Sequence, residues 1–349
     1  MLCNILWLEE GLNTVTRALD CALEECCVAC WWCGLVESLR VLVTGGAGFI
    51  GSYLVKELVR RGHFVRVLDN FSTGSMENLI DVARDVEVVR GDVRNYSVVE
   101  ESVRGVDIVV HLAALIDVAE SMQKPDLYFE VNVVGTYNVA KACRSIDTLI
   151  FASSSSVYGD PIKIPIPEDH PIQPRSVYAA TKVSGEAIIQ AFSSLYGYRP
   201  VILRIFNAYG PKQSKAYSGA VIEFIRRVLR GEPPVIYGDG KQTRDFIYVT
   251  DVAEVITRAM TSEKASGVIN IGSGRSTTIN ELAKLVLRIL GREDLKPVYE
   301  PPRPGDVKHS VADITKAKQL LGFEPRVCLE EGVKRVIQAI LKQSINVSM

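Results

Sequence analysis

The chain has 349 residues, 47% hydrophobic and 23% charged, with 40 Lys and Arg against 41 Asp and Glu. That length supports one large domain or two moderate lobes with a real core. A formal net charge of -1 gives no general attraction to nucleic acid or an anionic membrane, and no apolar run approaches the roughly 20 residues that span a bilayer.

Residues 1–38 stand apart. They hold all three Trp (Trp7, Trp31, Trp32) and six of the eight Cys (Cys3, Cys21, Cys26, Cys27, Cys30, Cys33). They carry six acids and one base, which puts the segment at -5 and the body at +4. The segment lacks the basic start of a targeting peptide, and Glu24 and Glu25 interrupt its apolar stretch. Cys27, Cys30 and Cys33 recur every third residue, which brings thiolates near one helix face. No His or downstream Cys pair completes a zinc or iron–sulfur site, so no metal is expected. The expectation is a segment foreign to the folded body, as a start codon set too far upstream would add. An amphipathic extension and a metal site are the alternatives. The two Cys of the body, Cys143 and Cys328, suit a reducing cytoplasm.

From Leu39 the pattern becomes regular. Leu39 to Thr44 predicts a short, buried, β-branched strand. A glycine loop follows, and then Ile50 to Arg61 predicts a helix with Ile50, Leu54, Leu58 and Val59 on one side, ended by Gly62. Further strands are predicted at Val65–Asp69, Val86–Val89, Val106–Leu112 and Leu149–Ser153, alternating with helical segments. Such alternation predicts an α/β fold, a doubly wound, Rossmann-like parallel sheet covered on both faces. After about Asn207 the loops become rich in Pro and Gly, which predicts a smaller, less regular α/β lobe at the C-terminal end. The expected layout is a dinucleotide lobe over 39–206, rejoined by 245–262, and a substrate lobe over 207–244 and 263–341.

The loop Thr44-Gly45-Gly46-Ala47-Gly48-Phe49-Ile50-Gly51 meets the dinucleotide spacing twice, through Gly46, Gly48, Gly51 and through Gly45, Gly48, Gly51. Such a loop needs a tight turn, close backbone approach to a pyrophosphate, and close helix–strand packing; the phosphates then sit on the helix N-terminus. Alone the string is weak. Here it follows a strand, opens a helix, and precedes Asp69, 18 residues after Gly51 at the end of the next strand. Asp69 is placed to accept from an adenosine ribose 2′-hydroxyl, and its charge would repel a 2′-phosphate, which favours NAD over NADP. Asp92 with Val93, at the next strand end, is placed to reach an adenine. Leu112-Ala113-Ala114 offers a small-residue edge for a nucleotide.

Tyr178 and Lys182 lie four apart in a segment, Ser176 to Tyr196, predicted to be helical, and so share a face. An ammonium beside a phenol lowers the phenol's pKa from about 10, and a tyrosinate is a competent base toward a sugar hydroxyl. Ser154 would add a hydrogen bond to the same substrate oxygen. The pattern Tyr-x-x-x-Lys is common in helices and gains weight only beside the dinucleotide loop.

From Leu39 to about Leu341 the chain resembles the extended short-chain dehydrogenase/reductase family, and within it the UDP-sugar 4-epimerases. The matching pieces are Thr44–Gly51, Asp69-Asn70-Phe71-Ser72-Thr73-Gly74, His111–Ala114, Asn132 with Gly135-Thr136, Ser153–Gly159, Tyr178 with Lys182, Arg204–Pro211, Arg244–Val249 and Arg303–Asp306. The resemblance implies bound NAD, contacted by Gly45, Gly48, Phe49, Ile50, Gly51, Asp69, Asn70, Ser72, Thr73, Gly74, Asp92, Val93, Leu112, Ala113, Ala114, Asn132, Tyr178, Lys182 and Phe206. It implies that Tyr178 takes the proton of a sugar 4-hydroxyl while hydride leaves C4, and that Ser154 and Lys182 assist. It implies a UDP-sugar held by Ser154, Asn207, Arg244, Arg303 and Asp306, and a homodimer formed through about Leu127–Cys143 and Ser176–Tyr196. An Arg fork suits phosphate, and an acid suits ribose hydroxyls.

Family dehydratases carry an acid pair where this chain has Ser155 and Ser156, so dehydration is not expected. The related decarboxylases usually carry Glu at the place of Ser156. UDP-glucuronate 4-epimerases share the serine-rich stretch but tend to lack the Asn of Phe206-Asn207. A UDP-galactose/UDP-glucose 4-epimerase is therefore expected. The alternatives are a UDP-glucuronate 4-epimerase or another NAD-dependent sugar-nucleotide enzyme, and, in a different class, a non-catalytic NAD sensor or scaffold. Ser310 stands where the family borders the sugar 2-substituent, and a small residue there implies that UDP-GalNAc/UDP-GlcNAc are admitted too.

Overall fold

The computed structural model describes residues 38–213, 219–302 and 307–347. Seven strands, β1 (Arg40–Thr44), β2 (Phe64–Asp69), β3 (Val86–Arg90), β4 (Ile108–His111), β5 (Thr148–Ser154), β6 (Arg199–Ile205) and β7 (Gly267–Ile271), form one sheet. Its order is β7-β6-β5-β4-β1-β2-β3, and every pairing is parallel. The chain winds outward from β1 to β3 and then back past β1 to β4, so the order reverses between β1 and β4. In a doubly wound sheet that reversal opens a crevice at the carboxyl ends of the strands.

Strand β1 shows why the sheet is covered on both faces. Val41 and Val43 point into a core shared with Leu54, Leu58, Val252 and Ile256, while Leu42 points into a second core with Val99, Val139 and Ile189. The first core is covered by α1 (Phe49–Arg60) and α6 (Val249–Thr261). The second is covered by α2 (Tyr96–Val103), α3 (Gly135–Ala142) and α4 (Val177–Tyr196). Helix α4 starts where Ser176 accepts from the Ala179 amide and stops at left-handed Gly197, a side-chain cap and a glycine stop. The helix predicted at Ile50–Arg61 is α1, and Gly62 after it has φ +82°.

The smaller lobe packs α5 (Ala220–Leu229), α7 (Ile279–Ile289) and α9 (Leu329–Val347) around Phe224, Ile225, Leu282, Val286, Val333 and Val336. One boundary differs from expectation. Residues 267–271, assigned above to the substrate lobe, form β7 at the edge of the main sheet, in register with β6 from Gly267↔Val201 to Ile271↔Ile205. Ile269 and Ile271 join the same core as Leu203 and Ile205, and helix α8 (Thr315–Leu321) adds Ala317 and Leu321 to it. Five residues between glycine turns carry too little periodicity to reveal a strand; the pairing with β6 decides it. Among the described residues no helix is long and apolar enough to cross a membrane.

Candidate active site

The crevice at the strand ends is a cleft of about 900 Å³, toward the upper end of volumes that hold organic ligands. Its floor is the glycine loop. Gly45 has φ +71°, a conformation that favours glycine. A Cβ on Gly51 would lie 2.2 Å from the Gly45 carbonyl oxygen, so helix α1 can approach the loop this closely only without a side chain there. The α1 N-cap is Gly48, with no side-chain cap, and Phe49 and Ile50 of its first turn line the cleft. First-turn amides without a side-chain cap are ready donors to a phosphate.

Asp69 ends β2 and is buried. Its Oδ2 accepts from the Ala47 amide at 2.9 Å and its Oδ1 from the Phe71 amide at 2.8 Å. Burial raises its pKa and these two bonds oppose that. A carboxylate has about four acceptor sites, so two bonds leave room for ribose hydroxyls. Close backbone approach, an uncapped helix start and an acid with spare acceptors together fit a dinucleotide.

Gly45, Gly48, Phe49, Ile50, Gly51, Asp69, Asn70, Ser72, Thr73, Val93, Leu112, Ala113, Ala114, Tyr178, Lys182 and Phe206 all line the cleft. Three further expected cofactor contacts, Gly74, Asp92 and Asn132, also support the cleft's walls. A Cβ on Gly74 would lie 2.8 Å from the Ala47 carbonyl carbon, so Gly74 packs on the glycine loop. Asp92 accepts from Asn70 Nδ2 at 2.8 Å and from Arg94, which holds its carboxyl at about 2. Asn132 is buried in the π-helical stretch Phe129–Val134, where it accepts from the Leu115 amide and donates to the Leu115 carbonyl and to Thr181 Oγ1. It thereby holds the chain leaving β4, whose Leu115, Ile116, Asp117 and Val118 form a cleft wall that periodicity did not mark as functional.

Ser154 at the end of β5 and Tyr178 in the first turn of α4 both line the cleft. Burial raises the phenol's pKa, and the nearby Ser154 hydroxyl works against that. Lys182 is fully buried, and burial brings its ammonium down to about 8. Its Nζ donates to the Ala152 carbonyl at 2.8 Å, lies 5.0 Å from the Phe151 ring centre and 6.0 Å from that of Tyr178. The lysine shares the helix face of Tyr178, and its long stem sets the charge on a strand carbonyl beside the phenol ring. His111 bridges Thr44 Oγ1 (2.7 Å) and Thr136 Oγ1 (3.0 Å), and burial pushes it to about 3, so it stays neutral and braces β4 against β1.

On the substrate side Asn207, Arg244 and buried Ser310 line the cleft. Asn207 Nδ2 donates to the Asp245 carbonyl at 3.2 Å, and Arg244 Nη1 to the Thr243 carbonyl at 2.8 Å. Arg303 and Asp306 lie outside the described residues, as do Cys27, Cys30 and Cys33. Phe224, Tyr237, Phe246 and Arg175 also line the cleft. The three aromatic residues sit on separate elements of the smaller lobe, so no local spacing could have grouped them.

A family model described as GDP-mannose 4,6 dehydratase matches residues 42–336. A putative UDP-glucose 4-epimerase of Methanocaldococcus jannaschii is 40% identical over 302 residues, covering 85% of this chain and 97% of that protein. The UDP-N-acetylglucosamine 4-epimerase of Methanobrevibacter ruminantium, solved in complex with UDP-N-acetylmuramic acid, superposes with a TM-score of 0.84 at 37% identity, covering 88% of this chain and 99% of that one. The UDP-glucose 4-epimerase of Thermus thermophilus, solved as a complex with NAD, superposes with a TM-score of 0.79 at 38% identity, covering 87% and 99%. Likeness of that extent places this chain in the extended short-chain dehydrogenase/reductase family, among its NAD-dependent epimerases and dehydratases that modify nucleotide sugars.

Proposed function

We propose that the protein is a UDP-sugar 4-epimerase that interconverts UDP-galactose and UDP-glucose through a 4-keto sugar, with NAD held in the cleft. The observation that carries this is the convergence of Ser154, Tyr178 and the buried Lys182 on one cleft, beside a loop shaped for a dinucleotide. When bound, the nicotinamide supplies a hydride acceptor that returns the hydride. Tyr178 takes the proton from the sugar O4 and later gives it back; Ser154 hydrogen-bonds the same oxygen. Lys182, as an ammonium, makes loss of the phenol proton easier and holds the nicotinamide ribose. The first-turn amides of α1 would hold the phosphates of the dinucleotide, and Asp69 would hold its adenosine ribose. Asn207 and Arg244 hold the UDP part, joined by Arg303 and Asp306.

Ser155 and Ser156 flank the sugar space where a dehydratase needs an acid and a base, and a hydroxyl serves as neither near neutral pH. Ser310 leaves room at the sugar 2-position, so UDP-GalNAc and UDP-GlcNAc are substrates in this reading; the likeness to an N-acetylglucosamine 4-epimerase supports it. Phe129, Tyr137 and Leu195 are large exposed apolar side chains on the two segments expected to meet a second copy, which supports a homodimer.

The test is a panel assay on protein purified without added NAD. UDP-galactose, UDP-GalNAc and UDP-glucuronate are supplied in turn, and products are identified by NMR. Epimerised UDP-galactose with no added cofactor is expected. A dehydrated or decarboxylated product, or turnover of UDP-glucuronate alone, would overturn the proposal.

A further inference from the structure

Two consecutive residues of β5 are tied to two consecutive turns of α4, next to Ser154. The Ala152 carbonyl accepts from Lys182 Nζ, and the Ser153 hydroxyl donates to the Glu186 carboxylate. Residues 178, 182 and 186 are four apart and lie along one helix face. The first tie belongs to the chemistry proposed above. The second joins a buried ion pair that the chemistry has not used.

Glu186 and Arg204 are 4% and 3% exposed. Arg204 Nε donates to Glu186 Oε1 at 2.9 Å and Nη2 to Oε2 at 2.7 Å, a two-pronged contact. Arg204 Nη1 donates to the Glu168 carbonyl at 3.1 Å, and the guanidinium stands 4.7 Å over the Tyr158 ring. Removing two charges from water is costly, and a packed apolar pair in such a place is often as stable or more so. Stability alone therefore gives weak reason for the pair.

The groups around Lys182 narrow its use. On its own helix stand Tyr178 and Glu186. From β4 comes His111, neutral through burial. From β5 come the uncharged Ser153 and Ser154, and from β6 comes Arg204, reached through Glu186. In this set Glu186 is the anion. Burial works against the Lys182 ammonium, and the Glu186 charge works for it.

We propose that Glu186 is a positioning residue for Lys182. Its carboxylate, clamped by Arg204 and Ser153 one helical turn beyond the lysine, is the counter-charge that keeps the buried lysine an ammonium, and it locks α4 to the β5 residue next to Ser154. This rests on the reading of Tyr178 and Lys182 as the proton-handling pair.

The test uses the full-length protein and two readouts: the alkaline limb of kcat against pH with UDP-galactose, and the ¹³Cε shift of labelled Lys182 against pH, which needs no turnover. Glu186→Gln removes the anion and leaves Arg204 as a second cation. It should move both readouts down by about one pH unit, with KM little changed. Arg204→Met leaves Glu186 unshared and should move both up, and Arg204→Lys should restore the native position. Shifts of opposite sign support the proposal. No shift, or shifts in the same direction together with a lower Tm, overturns it, because a merely structural pair loses stability without setting the lysine. If Glu186→Gln does not fold, Arg204→Met against Arg204→Lys carries the test. Opposed NMR shifts in a protein inactive on every nucleotide sugar would refute the proposed function and leave this inference standing.

Discussion

Gly51→Ala is the sharpest single test of the cofactor site. The added Cβ would lie 2.2 Å from the Gly45 oxygen, 2.7 Å from Gly46 Cα and 3.0 Å from the Gly45 carbonyl carbon. All three are backbone atoms, so no side chain can swing aside. Ordinary contact starts at 3.4 Å, and the loop and the first turn of α1 must separate by about 1.2 Å. A misplacement of roughly 1 Å at a site of this kind costs about 10²-fold in function, and overpacking costs about 1–3 kcal/mol of stability. Gly62→Ala is the control. Gly62 has φ +82° and nothing within 4 Å of its added Cβ, so only backbone strain of about 1–2 kcal/mol is introduced, away from the cleft. Nucleotide released from each purified protein by heat, and calorimetric NAD binding, measure the outcome. Gly51→Ala should lose NAD about 10²-fold while Gly62→Ala keeps it, at comparable losses in Tm. Native-like NAD affinity in Gly51→Ala, or equal loss in both, refutes the close-approach argument.

Tyr178→Phe should lower kcat by about 10²–10⁴-fold while the protein still retains NAD, because only the proton carrier is removed; a variant that turns over normally ends the epimerase reading and favours a sensor. Ser310→Tyr should block UDP-GalNAc and leave UDP-galactose turning over, and a product assay that finds both unaffected removes Ser310 from the sugar pocket. His111 sets an acid limit on stability. Burial holds it at about 3 in the folded state, against 6.5 in an exposed chain, so the unfolded state binds the extra proton. Its stabilising term is fully present above pH 6.5 and is lost as pH falls toward 3, at up to roughly 1.4 kcal/mol per unit. Thermal melts between about pH 7 and 5 should steepen this way in the native protein and flatten in His111→Asn; parallel curves would show that His111 carries no such linkage.

Local order was legible wherever a single element announced itself. The run Leu39–Thr44, the glycine loop and Asp69 belong to one strand–turn–helix–strand unit, whose spacing is dictated by backbone geometry over a short stretch of chain. Ser154, Tyr178 and Lys182 were likewise visible as types and spacings. What the sequence could not decide was the direction each side chain takes. Lys182 was expected on the helix face of Tyr178; the structure adds that its ammonium, 6.0 Å from the Tyr178 ring centre, is held by the Ala152 carbonyl of β5. Asn132 was expected at the cofactor, but the π-helical turn directs it to Leu115 and Thr181.

The amino-acid order alone therefore determined the alternation of the first five strands with helices, the site of phosphate approach and the chemical types that meet there, because each depends on neighbours close in the chain. Only the tertiary structure decided that residues 267–271 belong to that sheet, that the Lys182 ammonium rests on the Ala152 carbonyl, and that Glu186, Arg204 and Ser153 meet beside it. Those contacts join residues separated by 18 to 66 positions. They exist because parallel strands and the helices over them bring distant segments side by side, which no local pattern of hydrophobicity or charge records.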